Sequence, residues 1–298
     1  MTAPALPRPD AVAAPRGARD GWRDLSWRRV KIVARSDMRQ LIEDKGFWMP
    51  MVFLGAIFFL IIPTVLLLTI TKIGNVEVVS QMSKTLEVLP AQAQQQIEGQ
   101  SPEGKTAYAL AVFLLAPIAI VVPLTISTAI GASTIVGERE RGTGEFLAHS
   151  PASAREIYLG KLIASLVPGY LTTIVGFGLY SVLVNVIAGP EVGGWFFPTA
   201  QWWILMFWVI PPFLAFTLSL VLRLSARVKS TAAAQQASGL VSLPLIMIAY
   251  GQSSGALFGA QVSGFYVGLV AWVIAIVSLS RGVRSVTRAR LLGVANEV

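Results

Sequence analysis

The sequence contains no cysteine, only one histidine, and only 13% charged residues. Without cysteine the chain has no disulfide framework, no iron–sulfur cluster and no thiol nucleophile. One histidine is too few for most zinc and haem sites, which use several imidazole or thiolate ligands. Soluble domains carry about a quarter charged residues. So low a charge content is difficult to reconcile with a surface that faces water on all sides.

Charged side chains and histidine are missing from five long stretches of the chain. These stretches are 46–71, 106–137, 162–190, 192–222 and 230–280. A transmembrane helix needs roughly 20 apolar residues, so the first four stretches fit one span each and the last, with 51 residues, fits two. The short alternating segments of an outer-membrane barrel are absent. The sequence therefore predicts an all-α polytopic membrane protein with six transmembrane helices.

The six predicted spans divide the chain into a membrane domain and two tails. We place the spans near 47–70, 107–136, 158–187, 201–222, 232–250 and 265–280. The membrane domain covers 22–280, the N-terminal tail 1–21 is predicted to be disordered, and 281–298 forms a C-terminal tail. The tail 1–21 lacks the apolar core of a signal peptide. The glycine-rich residues 251–264 form either an ordinary loop or a re-entrant hairpin.

Two local patterns inside the spans carry further expectations. Four tryptophans lie around the start of the fourth span, which is typical of an aromatic belt at the membrane surface. They are Trp195, Trp202, Trp203 and Trp208. Pro117, Pro123 and Pro244 interrupt apolar helices and free backbone carbonyl groups.

The basic residues are distributed very unevenly. Of the 24 Lys and Arg residues, 21 lie in 1–45, 138–161, 223–229 and 281–298. Six spans place these four segments on one side of the membrane, and the positive-inside rule makes that side the cytoplasm. We therefore expect a multi-pass protein of the cell (inner or plasma) membrane with both termini cytoplasmic. The net charge of +8 then indicates contact with anionic membrane lipids and no nucleic acid.

Residues 22–45 are predicted to form an amphipathic helix ahead of the first span. Its apolar residues recur every three or four positions, which places them on one face. They are Trp27, Val30, Ala34, Met38 and Leu41. The charged residues Arg28, Arg35, Arg39 and Glu43 fall on the opposite side. We interpret this segment as an interfacial helix on the inner membrane surface; the alternative is a helix packed on a partner subunit.

The connection between the second and third spans has the most informative local pattern. Thr143 is placed to cap a short helix that contains Glu145, and Pro151 ends that helix. Ser153 and Glu156 have the spacing of a capping box that opens the next helix. A short capped helix of mixed charge suits docking on another protein. An ordinary solvated turn between capped helices is the alternative.

This connection closely resembles the coupling region of ABC-2-type permeases, the membrane subunits of a class of ABC exporters. The family pattern is E-R-E-x-G-T, a short apolar stretch, a proline, and R-E-I-x-x-G-K. The matching residues are Glu138, Arg139, Glu140, Gly142, Thr143, Glu145, Leu147, Pro151, Arg155, Glu156, Ile157, Gly160 and Lys161. Two positions of the connection depart from this pattern: Gly144 replaces the usual aliphatic residue, and Phe146 replaces a frequent proline. In the N-terminal helix, Asp37-Met38 stands where the family usually has Glu.

The resemblance implies a type V exporter-like fold, with six spans behind an interfacial helix, and a specific set of partners. These are cytosolic ABC ATPase subunits and a second permease, either an identical copy or a homologue. The region 138–157 would fit a groove on the ATPase. The residues implied in this coupling are Glu138, Arg139, Glu140, Arg141, Gly142, Thr143, Glu145 and Phe146.

The chain has no match to the phosphate-binding pattern G-x-x-x-x-G-K-[ST]. We therefore expect a non-enzymatic subunit that binds no cofactor or metal, with ATP and Mg²⁺ bound by the partner ATPase. Apolar and small span residues suit an amphipathic or lipid-like substrate or drug. An exporter of Na⁺ in the same family is an alternative, with the ion held by carbonyls freed near the prolines. A membrane scaffold and a membrane enzyme are the alternatives from other classes.

Overall fold

The structure, a computed structural model, describes residues 25–73, 91–140, 150–225, 228, 230–237, 239 and 261–285. All regular structure in these residues is helical. The α-helices are α1 (Trp27–Glu43), α2 (Lys45–Ala56), α3 (Ile62–Leu68), α4 (Ala91–Gln94), α5 (Pro102–Ala109), α6 (Ile118–Glu140), α7 (Ala154–Val192), α8 (Ala200–Ile204), α9 (Ile210–Ser225) and α10 (Gln261–Ser285). Wider π-helical turns lie at Ile57–Ile61, Thr69–Ile73, Leu110–Leu114 and Leu205–Val209, and residues 231–237 are also helical.

Five helical segments in the described residues are long and apolar enough to cross a membrane. They are span 1 (Trp48–Lys72), span 2 (Pro102–Gly137), span 3 (Ala154–Val192), span 4 (Ala200–Ser225) and span 6 (Gly264–Val283). Each coincides with a predicted span, so the all-helical, multi-pass prediction is confirmed. The tail 1–21 and most of the predicted span 232–250, of 251–264 and of 281–298 lie outside the described residues. The count of six spans therefore stays a prediction.

Span 2 forms the centre of the bundle. In its most apolar part 72% of the residues are buried, compared with 22% in span 1. Span 3 contacts α1 and spans 1, 2 and 4, and span 4 contacts spans 2 and 6. The apolar side chains that remain exposed lie mainly on spans 1, 3 and 6, where the surrounding solvent is lipid. We call the end of the bundle where α1 packs on span 3 the α1 end.

Span 2 is interrupted between Leu110 and Pro117, where a π-helical turn and a tight turn precede α6. Two carbonyl groups in this break accept hydrogen bonds from neighbouring spans. The Tyr180 hydroxyl donates to the Ala111 carbonyl at 2.7 Å, and Trp202 Nε1 donates to the Val112 carbonyl at 3.0 Å. Buried backbone groups need such partners. Side chains of spans 3 and 4 therefore stabilise the interruption that the proline predicts.

The predicted aromatic belt is wrong for Trp202. Its side chain is only 3% exposed and is stacked with Phe177 and Tyr180. Trp195 and Trp203 are 70% and 50% exposed, as a belt requires. Trp202 lies inside because its indole N–H has a carbonyl partner in the broken helix, which a tryptophan buried in the bundle needs.

Candidate coupling surface

The structure places the residues of the predicted coupling region partly in a helix. Glu138, Arg139 and Glu140 belong to the last turn of α6 and do not form a loop. Helix α6 therefore continues beyond span 2 into the region that the sequence assigns to a connection. Arg141, Gly142, Thr143, Glu145 and Phe146 lie outside the described residues.

Glu140 contacts the segment that follows span 4. Its carboxylate accepts hydrogen bonds from the Thr231 backbone N–H at 2.9 Å and from the Thr231 hydroxyl at 2.6 Å. Thr231 is the first residue of the helical segment 231–237, and a carboxylate at this position satisfies an otherwise unpaired N–H. Glu140 therefore has an intramolecular role in addition to the one that the resemblance implies.

The predicted capping box at the start of span 3 is confirmed. The Glu156 backbone N–H donates to Ser153 Oγ at 3.3 Å, and the Ser153 N–H donates to Glu156 Oε2 at 2.8 Å. Both orphan donors at the helix start are thereby satisfied. This box fixes the direction in which the chain enters span 3 from residues 150–152.

Glu156 lies inside the protein, although the sequence places it in the region that faces the ATPase. Its side chain has no exposed surface. Besides the Ser153 N–H, its carboxylate accepts the Ser26 backbone N–H at 2.8 Å and Arg29 Nη1 at 3.3 Å. Arg29 also donates to the Pro151 carbonyl at 3.1 Å. Glu156 therefore joins the start of α1 to the start of span 3.

Lys161 joins the same two helices one and a half turns further along span 3. Its ammonium group lies 3.3 Å from Asp37 Oδ2 of α1 and donates to the Thr134 carbonyl of span 2 at 3.1 Å. The Lys161 side chain is 2% exposed and that of Asp37 is 15% exposed. A buried ammonium group requires such compensation. The contact connects α1, span 2 and span 3 at one point.

Gly160 allows α1 to lie directly against span 3. A Cβ atom at this position would lie 2.7 Å from Val33 Cβ and 3.2 Å from the Val30 carbonyl oxygen. No side chain other than hydrogen fits at that distance. Glu156, Gly160 and Lys161, which match the R-E-I-x-x-G-K part of the family pattern, thus all hold α1; we call them and their partners Ser26, Arg29 and Asp37 the α1 clamp.

The apolar face of α1 packs on this chain. Val30 and Ala34 are buried, and α1 makes its most extensive contact with span 3. The interpretation as an interfacial helix, and the alternative of a helix packed on a partner subunit, are wrong for the Val30 and Ala34 side chains, which are buried within this chain. Trp27, predicted on the same face, is 59% exposed. Periodicity predicted the helix and its face, but it does not identify what covers the face.

A groove of about 280 Å³ lies between α1 and the residues that lead into span 3. Its walls combine the apolar residues Ile32, Val33, Pro151 and Ala152 with the polar residues Arg29, Ser36, Asp37 and Ser150. Ser150 is the first described residue after the coupling residues that lie outside the described ranges. The groove is therefore an open surface next to the predicted coupling region.

Span 6 is fastened at the α1 end by a buried hydroxyl network. The Tyr158 hydroxyl donates to Ser219 Oγ at 2.9 Å, and Ser219 Oγ donates to the Ser278 carbonyl at 3.1 Å. Arg223 Nη2 donates to Ser278 Oγ at 3.1 Å. These bonds link spans 3, 4 and 6. Single hydroxyl residues in apolar runs carry no sequence signal for such a network, so it was not predictable from the sequence.

The sequence comparison agrees with this architecture. Residues 31–268 match the family described as ABC-2 family transporter protein. A comparison with curated proteins finds no match. The family match covers well over half of the chain and includes most of α1, the clamp residues Asp37, Glu156, Gly160 and Lys161, and all of spans 1 to 4. ABC-2 permeases are the membrane subunits of ABC transporters, which associate with ABC ATPase subunits. This multi-pass membrane protein therefore belongs to the ABC-2 family of transporter permeases.

Proposed function

We propose that the chain is the membrane subunit of an exporter in the cell membrane, driven by ATP hydrolysis on a separate cytosolic ABC ATPase. ATP and Mg²⁺ are bound by that ATPase. The α1 end faces the cytoplasm in this proposal, because the segments assigned to that side carry 21 of the 24 Lys and Arg residues. Both termini then lie in the cytoplasm.

The α1 clamp is the observation that carries the proposal. Residues 138–153, which we call the coupling segment, end at the capping box of span 3, and Glu156 of that box binds Ser26 as well as Ser153. A force on the coupling segment therefore acts on span 3 and α1 together. Hydrogen bonds of 2.8 Å to a buried carboxylate are among the stronger ones in proteins. The clamp thus supports transmission of the ATPase motion into the bundle as a rigid-body movement.

We assign the groove between α1 and residues 150–152 to the contact with the ATPase, beside the coupling segment. Its walls combine apolar residues with the hydroxyl groups of Ser36 and Ser150 and with Arg29 and Asp37, which are paired with Glu156 and Lys161. This is the mixed character of a non-obligate protein interface. Because Glu156 is buried, the coupling contacts are expected from Glu138 to Phe146 and from this groove.

A second permease completes the transporter in this proposal, and span 2 supplies part of the contact. Span 2 is mostly buried, but Thr125 is exposed, and Val121, Ala129 and Ser133 on the same side are half-buried. These side chains recur every four residues, and three of them, at Thr125, Ala129 and Ser133, are small, which permits close helix approach in lipid. Span 5 is expected beside them.

The proposed substrate is amphipathic or lipid-like. The apolar stretches of the spans contain no Asp, Glu, Lys, Arg or His, and intramembrane charges are the usual mark of ion pathways. For the alternative, Na⁺ export, carbonyl groups near Pro117, Pro123 or Pro244 were the candidate ligands. Before Pro117, the carbonyl groups of Ala111 and Val112 accept hydrogen bonds from Tyr180 and Trp202, which argues against Na⁺ at this break.

The proposal is tested with Glu138→Ala/Glu140→Ala in the complex reconstituted into liposomes. Removal of one contact at an interface hot spot costs ~2 kcal/mol or more, so we expect loss of transport and of substrate-stimulated ATP hydrolysis. Expression and membrane insertion should remain normal. The stimulating substrate is identified with a panel of lipids, drugs and ions, in which Na⁺ stimulation alone would favour the alternative.

Thr231→Val is the matched control for this variant. It removes a partner of Glu140 and leaves the coupling segment unchanged, so it should retain most of the transport activity. Equal loss in both variants would assign the effect to the contact between spans 2 and 5. Normal transport by the double variant, or a purified active protein without any ATPase, would contradict the proposal and favour a scaffold or a membrane enzyme.

A further inference from the structure

The outward face of α1 carries a continuous basic stripe. Arg28, Lys31, Arg35 and Arg39 follow one another at spacings of three, four and four residues, so they lie in one row along the helix. All four are exposed, whereas Val30 and Ala34 face span 3. We call these four residues the basic stripe.

The basic stripe has little compensating negative charge. Arg39 pairs with Glu43 at 2.8 Å. Among the described residues, Arg28, Lys31 and Arg35 have no carboxylate within ion-pair distance. Arg29, which binds Glu156, belongs to the other side of the helix. Within the described part of the chain, the stripe therefore presents three cations without an ion-pair partner and one paired cation on a single surface.

Large apolar side chains border the basic stripe. Trp27 is 59% exposed and lies one turn before Lys31; Ile42 is 72% exposed and lies about one turn after Arg39. Exposed apolar residues beside cations are unfavourable in water but match the boundary between headgroups and acyl chains. Both features indicate the same environment.

The chain connection places the stripe at the height of the headgroups. α1 ends at Glu43 and span 1 begins at Trp48. The C-terminal end of α1, with Arg39 and Ile42, is therefore close to the membrane surface. Span 3 supports this position, because its 39 residues extend about 58 Å, nearly twice the thickness of the hydrocarbon core. Its first turns, which hold α1, carry the charged residues Arg155, Glu156 and Lys161, so we assign the projecting part to this end.

We propose that the basic stripe binds the phosphate groups of anionic phospholipids in the membrane leaflet next to the α1 end. Arginine and lysine side chains are complementary in charge to lipid phosphates, and arginine forms paired hydrogen bonds with them. The groove at Ser36, Asp37 and Ser150 lies on another side of α1. Lipid and ATPase can therefore occupy α1 simultaneously, and lipid binding does not depend on the proposed export function.

The first test titrates the purified full chain in detergent with phosphatidylglycerol and with phosphatidylcholine, and native mass spectrometry counts the bound lipids. We expect a preference for phosphatidylglycerol that weakens as salt is raised. Arg28→Gln/Lys31→Gln/Arg35→Gln should weaken phosphatidylglycerol binding by about fivefold per removed charge, on the order of a hundredfold in total. Phosphatidylcholine binding should stay unchanged.

The matched control removes three exposed cations elsewhere, in Lys72→Gln/Lys105→Gln/Arg281→Gln. It should retain phosphatidylglycerol binding, as should Arg28→Lys/Arg35→Lys, which keeps the charges. Equal losses in the control and in the stripe variant would overturn the proposal, because only net charge would matter. Unchanged lipid binding by the stripe variant, together with loss of a co-purifying ATPase, would overturn it in favour of a protein contact.

A second test locates the stripe directly. Because the chain has no cysteine, single spin labels can be attached in the variants Ile42→Cys and Ser36→Cys. Each labelled protein is reconstituted into bilayers that contain phosphatidylglycerol. The label at residue 42 should be more accessible to oxygen, which concentrates in lipid, than to a water-soluble relaxation agent. The label at residue 36, on the groove side, should show the reverse. Equal exposure of both labels to water would overturn the proposal even if the triple variant binds lipid poorly.

Discussion

The carboxylate of Glu156 accepts a hydrogen bond of 2.8 Å from the backbone N–H of Ser26, although 130 residues separate them. Ser26 is the residue before α1, and Glu156 is in the first turn of span 3. One buried carboxylate therefore accepts backbone N–H groups at the starts of two helices. Its removal should affect both helices.

Glu156→Ala should lower the free energy of unfolding in detergent by roughly 3 kcal/mol, because it leaves the Ser26 and Ser153 N–H groups and Arg29 without their partner. Trypsin should also cleave faster at the basic residues of α1. The control is Glu43→Ala, which breaks an exposed pair with Arg39 and should cost at most about 0.5 kcal/mol. Similar stabilities for the two variants would show that Glu156 is not an organising residue.

Gly160→Ala should destabilise the protein, although alanine is the better helix former by about 1 kcal/mol. The new methyl group would lie 2.7 Å from Val33 Cβ, so α1 must move away from span 3. Gly178→Ala, in the same helix, adds a methyl group with no atom within 4 Å and should be neutral or stabilising. Thermal unfolding compares the two, and addition of Val33→Ala should relieve the first variant. Equal effects of both variants would contradict close packing at Gly160.

Lys161→Met should destabilise the chain by roughly 3 kcal/mol, because a buried partner is removed from Asp37 and from the Thr134 carbonyl. Adding Asp37→Asn removes the uncompensated carboxylate and should restore part of the loss. A double-mutant cycle of unfolding free energies should then give a coupling of about 1 kcal/mol or more. A coupling near zero would mean that the two charges do not interact in the membrane.

A disulfide cross-link should report the proposed contact between two permeases. Thr125 is the exposed residue on the side of span 2 that also carries Ala129 and Ser133. Thr125→Cys should cross-link in native membranes if two identical copies associate there. Leu179→Cys, which is 49% exposed on span 3, is the control and should stay monomeric. Cross-linking of the control alone would place the contact elsewhere. If neither variant cross-links, the mass of the active complex distinguishes a homologous partner from a monomer.

The orientation follows from labelling of single cysteines introduced into this cysteine-free chain. Ser83→Cys, in the connection 72–105 between spans 1 and 2 that we expect to face outward, should react with an impermeant maleimide added outside intact cells. Ser150→Cys should react only after the membrane is opened. The reason is the uneven distribution of basic residues. Equal labelling of both positions from outside would reverse the proposed side of the coupling segment.

Features that depend on residues close together in the sequence were predictable. The five observed spans follow from charge-free stretches, and the capping box follows from Ser153 and Glu156, three positions apart. The partners of Glu156 and Lys161 were not predictable, because Ser26 and Asp37 are more than 120 residues away. The burial of Trp202 was not predictable for the same reason. A tryptophan near a span end predicts a position at the membrane surface, but the Trp202 indole N–H binds the Val112 carbonyl inside the bundle.

The sequence by itself determined that this chain crosses a membrane, which helices do so, and that the connection between spans 2 and 3 carries the coupling pattern. These properties depend on transfer of local side chains from water to lipid and on local capping. Tertiary structure alone decided that the apolar face of α1 packs against span 3. It also decided that Glu156, at the end of the coupling pattern, is buried in contact with the start of α1. A buried carboxylate and a buried ammonium group need compensating partners, and only the packing of α1 against span 3 brings them within hydrogen-bond distance.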